Sequence, residues 1–270
     1  MRRGRSQDLK YVELLLAPLR ECRNYRPAFG GEGDQGVTVD QFRELYSQDP
    51  LYHWVGLDSD LMYAAHKAAG GMTSIYRQLG IGCERLLRQV IKDSFSLEDE
   101  EVGWSYTYEK ENGGQGVHTL DARIDVAHVD DSKARSRVVE WLQRVGAGLH
   151  LPLARINALR GIVFEVRQGY KSADSKRQNA DLRFGTRAYN ENYLPVLTIV
   201  SKQISTPVSR RYRSAQLLVL MGTPHDDDTV STFQFYSTVV NYDLADFFSR
   251  NSPILRKEFT EVLRVLLSPA

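Results

Sequence analysis

Apolar residues recur three and four positions apart in the first third of the chain, and this spacing predicts amphipathic helices. The predicted helices cover residues 8–23, 39–46 and 58–69, the last of them ending at Gly70–Gly71. A longer helix begins at Thr73, and its buried face is predicted from the following apolar residues: Ile75, Leu79, Leu86, Leu87, Val90 and Ile91.

Strand signals occupy the middle of the chain. Residues 104–110 and 118–129 alternate with period two, and residues 111–116 between them are rich in turn-forming residues, so a β-hairpin is predicted. A helix is predicted over residues 132–146, and the apolar run that begins at Gly161 predicts a buried strand.

The remaining pattern combines helices with short strands. Ser172 is a suitable N-cap for the next helix. Strands are predicted over residues 194–200 and 217–220, with a short basic helix or turn over residues 209–213, and helices over residues 233–267 close the chain. This order predicts a mixed α/β (α+β) fold, in which a central mixed β-sheet is flanked by helices and helical segments are added at both termini.

The domain organisation predicted from these elements is a helical N-terminal region (1–71), a core (72–222) and a C-terminal helical region (223–270), interpreted together as one compact domain. Hydrophobic residues make up 42% and charged residues 26%, as in ordinary globular proteins. No apolar run reaches the roughly 18 residues that a membrane span needs. With Cys22 and Cys83 as the only cysteines, neither a disulfide framework nor a cysteine zinc site is indicated. Composition favours a cytoplasmic protein without membrane association.

Positive charge is concentrated in one part of a chain whose net charge is only +1. Between Arg167 and Arg213 there are ten Lys/Arg and three Asp/Glu. A local excess of this kind predicts a surface for phosphate groups. The candidate DNA-binding residues are Lys176, Arg177, Arg183, Arg187, Arg210 and Arg211.

Several carboxylates lie where burial is costly. Glu165 interrupts the apolar strand that begins at Gly161, and Arg167 shares its face. Asp121 and Asp125 share a face of the second predicted strand. Glu84 lies on or beside the buried face of the long helix, where it either extends to solvent or points into a site. Carboxylates beside a basic helix predict a site for a metal ion and a polyanion; the alternative is a solvated, salt-bridged strand end.

The segment EVRQGYKSADSKRQNAD, which begins at Glu165, resembles a stretch of type II restriction endonucleases of the PD-(D/E)xK fold. GGMTSIYRQLGIGCERLLRQ is similar to their first helix, and the resemblance covers about residues 72–221. It implies that Asp125 is the second-strand aspartate, with Asp121 as its competitor, and that Glu165 is the third-strand acid. These residues would hold Mg²⁺, with Glu84 completing the acidic cluster.

The chain departs from the family pattern at the lysine two residues after the acid, where it has Arg167. Arginine stays protonated and cannot act as a general base, although it can stabilise charge on a phosphate. Lys171 is the alternative candidate for the lysine role. The carbonyl of Val166 is a further candidate metal ligand, and no proline precedes either aspartate.

The resemblance implies a Mg²⁺-dependent, sequence-specific endonuclease that hydrolyses phosphodiester bonds in double-stranded DNA. Cutting both strands needs two active sites or a monomer that acts twice, and because the chain shows one acidic constellation, a homodimer is expected. One alternative is a DNA-binding protein of the same fold with weakened or absent catalysis. Another is a partner-binding protein with solvated charges, which predicts no salt-dependent DNA binding. The target sequence does not follow from these patterns, because base contacts depend on which side chains enter the groove.

Overall fold

A computed structural model describes residues 2–29, 36–109, 113–170 and 175–268. The chain is an α+β protein that divides into two compact units, one formed by Met1–Gly82 with Ser249–Ala270 and the other by Cys83–Phe248. These limits differ from the predicted boundaries because they fall within two long helices that are continuous across them. No helix among the described residues combines the length and apolarity needed to cross a bilayer.

The elements are numbered in chain order. The helices are α1 (Arg2–Arg20), α2 (Val39–Ser47), α3 (Pro50–Trp54), α4 (Asp60–Phe95), α5 (Asp99–Val102), α6 (Ser132–Gly148), α7 (Leu153–Ala158), α8 (Ser175–Asn190), α9 (Thr206–Ser214), α10 (Thr232–Phe235) and α11 (Leu244–Leu267). The strands are β1 (Trp104–Glu109), β2 (Gln115–Leu120), β3 (Ala122–Asp125), β4 (Gly161–Arg167), β5 (Tyr193–Ile199) and β6 (Leu218–Leu220). A π-helix, Tyr236–Val240, follows α10.

The predicted break at Gly70–Gly71 is wrong, since α4 runs unbroken from Asp60 to Phe95. Both glycines are sites of close approach: a Cβ at Gly70 would overlap the hydroxyl of Tyr25, and one at Gly71 would overlap the side chain of Leu266. The two glycines are therefore explained by packing rather than by a helix end.

The strands form two sheets. β1 and β2 make the predicted hairpin, and a four-stranded mixed sheet has the order β3-β4-β5-β6. In that sheet β3 is antiparallel to β4, while β4, β5 and β6 are parallel. The single strand predicted over residues 118–129 is wrong: the chain bends at Asp121 between β2 and β3, and Val126–His128 is a 3₁₀ turn.

Helices cover both faces of the four-stranded sheet, and this explains why β4 is apolar along most of its length. On one face Val163 packs in a cluster with Phe184 of α8. On the other face Phe164 lies 5.7 Å, between ring centroids, from Phe235 of α10. Because side chains alternate along a strand, Glu165 shares the face that α8 covers.

Candidate active site

Glu165 is the centre of the candidate site. It lies near the end of β4 and is only 6% exposed. Its Oε1 forms an ion pair with Arg167, and its Oε2 lies 3.7 Å from Nε2 of His118 on β2. That separation is too long for a hydrogen bond. Oε2 has no hydrogen-bond partner among the described residues, so a buried acceptor is left open at this point.

Asp121 lies beside Glu165 because of the strand register. Ala122 pairs with Phe164, so the residue before β3 falls next to Glu165 on β4. The backbone N–H of Asp121 donates to the carbonyl of Phe164 at 3.2 Å. Its Oδ2 accepts from the backbone N–H of Val166 at 2.6 Å. The bend after β2 therefore carries a carboxylate into contact with the strand that holds Glu165.

The pKa values of three acids show that they act on one another. Burial, the charge of Glu165 and then that of Glu84 raise the pKa of Asp121 to about 8. Burial also raises the pKa of Glu84 on α4, and the charge of Glu165 adds to the rise while that of Arg167 opposes it. Strand register therefore places Asp121 beside Glu165, and Glu84 of α4 lies near enough for the charge of Glu165 to affect its pKa.

Glu165 itself behaves differently. Burial acts to raise its pKa, but His118 and Arg167 outweigh that effect and hold the pKa below its ordinary value. At neutral pH Glu165 is therefore ionised while Asp121 keeps its proton. Neighbouring acids whose pKa values are pushed apart in this way are typical of functional sites.

Arg167 occupies the position two residues after the acid and is held on several sides. Besides Glu165, its Nη2 contacts Oδ1 of Asp181 at 3.3 Å, and its Nη1 donates to the carbonyl of Val166 at 3.1 Å. The Val166 carbonyl predicted as a metal ligand is thus used by a guanidinium. The Nε–H of Arg167 is buried and has no acceptor among the described residues.

The prediction that Asp125 lies with Glu165 in one metal site is wrong, because the pairing of β3 with β4 separates them. Asp125 pairs with Gly161, four residues from Glu165 on β4, which is roughly 13 Å along a strand. Its Oδ2 accepts from Nη2 of Arg160 and from the hydroxyl of Tyr193, both at 2.7 Å. Asp125 is therefore a satisfied buried carboxylate, and Asp121 is the aspartate that lies with Glu165.

Other residues of the centre were not predicted. His118 is not among the candidates predicted from the sequence; only its position three residues before Asp121, in the predicted hairpin, could have indicated it. Asp181 on α8 is 3% exposed, and its role depends on which face of α8 meets the sheet. Lys171 and Ser172 lie outside the described residues, and α8 begins at Ser175.

The predicted basic residues fall into two groups. Arg183 and Arg187 are exposed on α8, and both oppose the rise in the pKa of Tyr106 on β1 that burial and the charge of Glu165 produce. They therefore lie on the side of α8 that is near the hairpin and the acidic centre. The second group is exposed on α8 and α9 and comprises Lys176, Arg177, Arg210 and Arg211. In this group, Arg211 of α9 donates to two side-chain amides of α8.

Comparison with protein-family models, with curated proteins and with solved structures finds no match for this chain. Within the described ranges, no group of three or more His, Cys, Asp or Glu side chains is arranged to hold a metal ion. The centre consists of an ionised acid, an acid with a raised pKa and a guanidinium. Among the described residues, Oε2 of Glu165 has no donor and Nε of Arg167 has no acceptor.

Proposed function

We propose that this chain is a Mg²⁺-dependent endonuclease of the PD-(D/E)xK type that cleaves double-stranded DNA at specific sites, as type II restriction enzymes do. The observation that carries the proposal is the convergence of Glu84, Asp121 and Glu165 from three separate elements, with Arg167 beside them. The alternative interpretation, a solvated strand end with a salt bridge between Glu165 and Arg167, does not explain why the pKa values of Asp121 and Glu84 are also raised. Each chain contributes one such centre and a duplex has two strands, so we propose a homodimer.

The order of the elements also supports the proposal. A long helix carries Glu84, a hairpin and a bend carry Asp121, and a central strand carries Glu165 with Arg167 two residues on. A helix, α8, then leads to β5, which is parallel to β4. This is the order expected from the resemblance of residues 72–221 to the nuclease family.

Mg²⁺ fits the donor chemistry of this centre. Oε2 of Glu165 is a buried carboxylate oxygen with no hydrogen-bond partner among the described residues, and Asp121 carries a second carboxylate beside it. Magnesium in nucleic-acid enzymes is often held by only one or two carboxylates, together with waters and phosphate oxygens. Asp121 and Glu165 would hold the ion, which would polarise the scissile phosphate and lower the pKa of an attacking water.

The chain's own side chains have separate tasks in this proposal. Glu165 is already ionised at neutral pH, whereas Asp121 must release its proton before it can bind a cation. The buried Nε–H of Arg167 has no acceptor among the described residues, and in this proposal it would donate to a phosphate oxygen and stabilise charge on the reacting phosphate. Arg167 stays protonated, so it does not accept the proton of the attacking water.

A second candidate function is DNA binding without cleavage, and Arg167 is the observation that favours it. It replaces the lysine of the family pattern and is paired with Glu165. Supercoiled and linear plasmid DNA incubated with the protein and Mg²⁺ distinguishes the two functions. Discrete fragments that require Mg²⁺ support the nuclease; intact DNA with retarded migration supports the binding protein. Neither cleavage nor salt-dependent binding would contradict both.

We predict that Arg183→Ala and Arg187→Ala each weaken DNA binding and reduce the slope of log K against log salt by about one. Both arginines are exposed near the acidic centre, where each would neutralise about one phosphate. Fluorescence anisotropy with a short duplex over a range of salt concentrations measures the slope. Lys133→Ala is the control, since Lys133 is an exposed cation on α6, which packs on the other side of the sheet. Equal slopes in all variants would mean that this face of α8 does not meet DNA.

A further inference from the structure

A buried polar network contacts Arg167 through Asp181. Asp181 of α8 accepts from the hydroxyl of Tyr212 of α9 at 2.7 Å and from that of Tyr170 at 3.1 Å, both through Oδ2. The two hydroxyls are 2.6 Å apart. The other oxygen of Asp181, Oδ1, faces Arg167. Asp181, Tyr170 and Tyr212 are each at most 3% exposed, so this network is closed to solvent.

Burying a carboxylate is costly unless it is paired with a cation or hydrogen-bonded. A single carboxylate would neutralise Arg167, and Glu165 already does so through Oε1. Asp181 adds a second carboxylate on the same nitrogen, Nη2, and burial raises its pKa even though Arg167 and Tyr212 act in the opposite direction. Asp181 and Glu165 therefore hold the guanidinium from two elements, a helix and a strand.

The contacts of the tyrosines explain how Asp181 is kept in place. Tyr212 belongs to α9, and Tyr170 lies three residues after β4, so their hydroxyls connect Asp181 to two further parts of the fold. The two hydroxyls donate the hydrogen bonds that Oδ2 of Asp181 accepts. Loss of either hydroxyl would therefore change the position of Asp181, and this would change the contact of its Oδ1 with Arg167.

Resting on the proposed nuclease function, we propose that Asp181, fixed by Tyr170 and Tyr212, is a positioning residue that orients Arg167 toward the phosphate. The arginine side chain is long and has several rotatable bonds. A second carboxylate on the guanidinium of Arg167 restricts its rotation. Asp181 does not touch the substrate in this proposal; it acts only through Arg167.

A double-mutant cycle tests the proposal. Asp181→Asn is expected to lower kcat about tenfold with little change in KM, and to have no further effect when Arg167 has been replaced in Arg167→Met. Tyr212→Phe, which removes one hydroxyl without changing packing, is expected to give a smaller loss of the same kind. Tyr189→Phe is the control. Tyr189 lies on α8, as Asp181 does, and the substitution removes its hydrogen bond to the carbonyl of Gln216 without changing a contact of Arg167. Additive losses in the cycle would overturn the proposal.

A second measurement needs no cleavage. Nitrogen-15 NMR of the arginine side chains, with Arg167→Met used for assignment, follows rotation of the guanidinium about its Nε–Cζ bond. Slow rotation of Arg167 is expected in the wild-type protein and in Tyr189→Phe, and at least several-fold faster rotation in Asp181→Asn and Tyr212→Phe. Unchanged rotation in both latter variants would overturn the positioning role. Absence of cleavage by the wild-type protein would instead count against the nuclease function, and the NMR result would still decide the role of Asp181.

Discussion

Glu165→Gln is expected to abolish Mg²⁺-dependent DNA cleavage, with a rate at least about 100-fold below wild type, and to leave DNA binding largely intact. Even partners that only support a metal ligand are worth about 10- to 100-fold in activity, and the ligand itself is worth more. The substitution keeps the size of a 6%-exposed side chain and removes its charge. Plasmid cleavage measures the rate, and anisotropy with a short duplex measures binding. Retained Mg²⁺-dependent cutting would remove the centre of the proposed function.

Substitution of each aspartate tests which of them belongs to the candidate active site, Asp121 as the structure indicates or Asp125 as the sequence predicted. Asp121→Asn is expected to lose cleavage to a similar extent, because it removes the second carboxylate at the centre. Asp125→Asn is expected to lower the free energy of unfolding by about 1–3 kcal/mol, since it weakens a charge-assisted contact with Arg160 and Tyr193, but to cleave at the wild-type rate once folded. Loss of cleavage in Asp125→Asn at full folding, with activity kept in Asp121→Asn, would reverse the assignment.

Local patterns predicted most of the elements because each pattern depends on near neighbours in sequence. The first hairpin strand β1, the strands β4 and β5 and the helix α6 all lie within a few residues of their predicted positions. The glycine pair within α4 misled the prediction, since its explanation is contact with Tyr25 and Leu266, residues far away in the chain. A glycine that permits close packing and a glycine that ends a helix look the same in sequence.

The choice between Asp121 and Asp125 depended on register, which the sequence does not contain. Both aspartates fall within the single strand predicted over residues 118–129 and share its predicted face. Only the pairing of Ala122 with Phe164 decides that Asp121 falls next to Glu165 and that Asp125 falls beside Gly161. A shift of pairing exchanges such positions without changing any local preference. Asp181 was missed for a related reason, because the burial of one face of α8 depends on its packing against the sheet.

The raised pKa of Asp121 leads to a second large effect, on stability. This carboxyl titrates near 8 in the folded protein and near its ordinary value when the chain is unfolded. Between pH 4 and 8 the folded state therefore binds a proton that the unfolded state has released, and the free energy of unfolding contributed by this group falls as pH rises. We expect Asp121→Asn to be more stable than wild type at pH 8, by at least about 1.4 kcal/mol, the equivalent of one pKa unit. At pH 4 the two proteins are expected to differ little.

Urea unfolding of both proteins at several pH values measures this difference, and Mg²⁺ adds a further arm to the experiment. Because a bound cation favours the ionised carboxylate, millimolar Mg²⁺ is expected to raise the stability of wild type at pH 8 more than at pH 6, and to have little effect on Asp121→Asn. The effect of Asp125, whose pKa is lowered by its hydrogen bonds despite burial, is common to both proteins and cancels in the difference. A constant difference between the two proteins from pH 4 to pH 8 would show that Asp121 ionises normally. In that case neither burial nor the charges of Glu165 and Glu84 would raise the pKa of Asp121, and the proposed cation site would lose its electrostatic support.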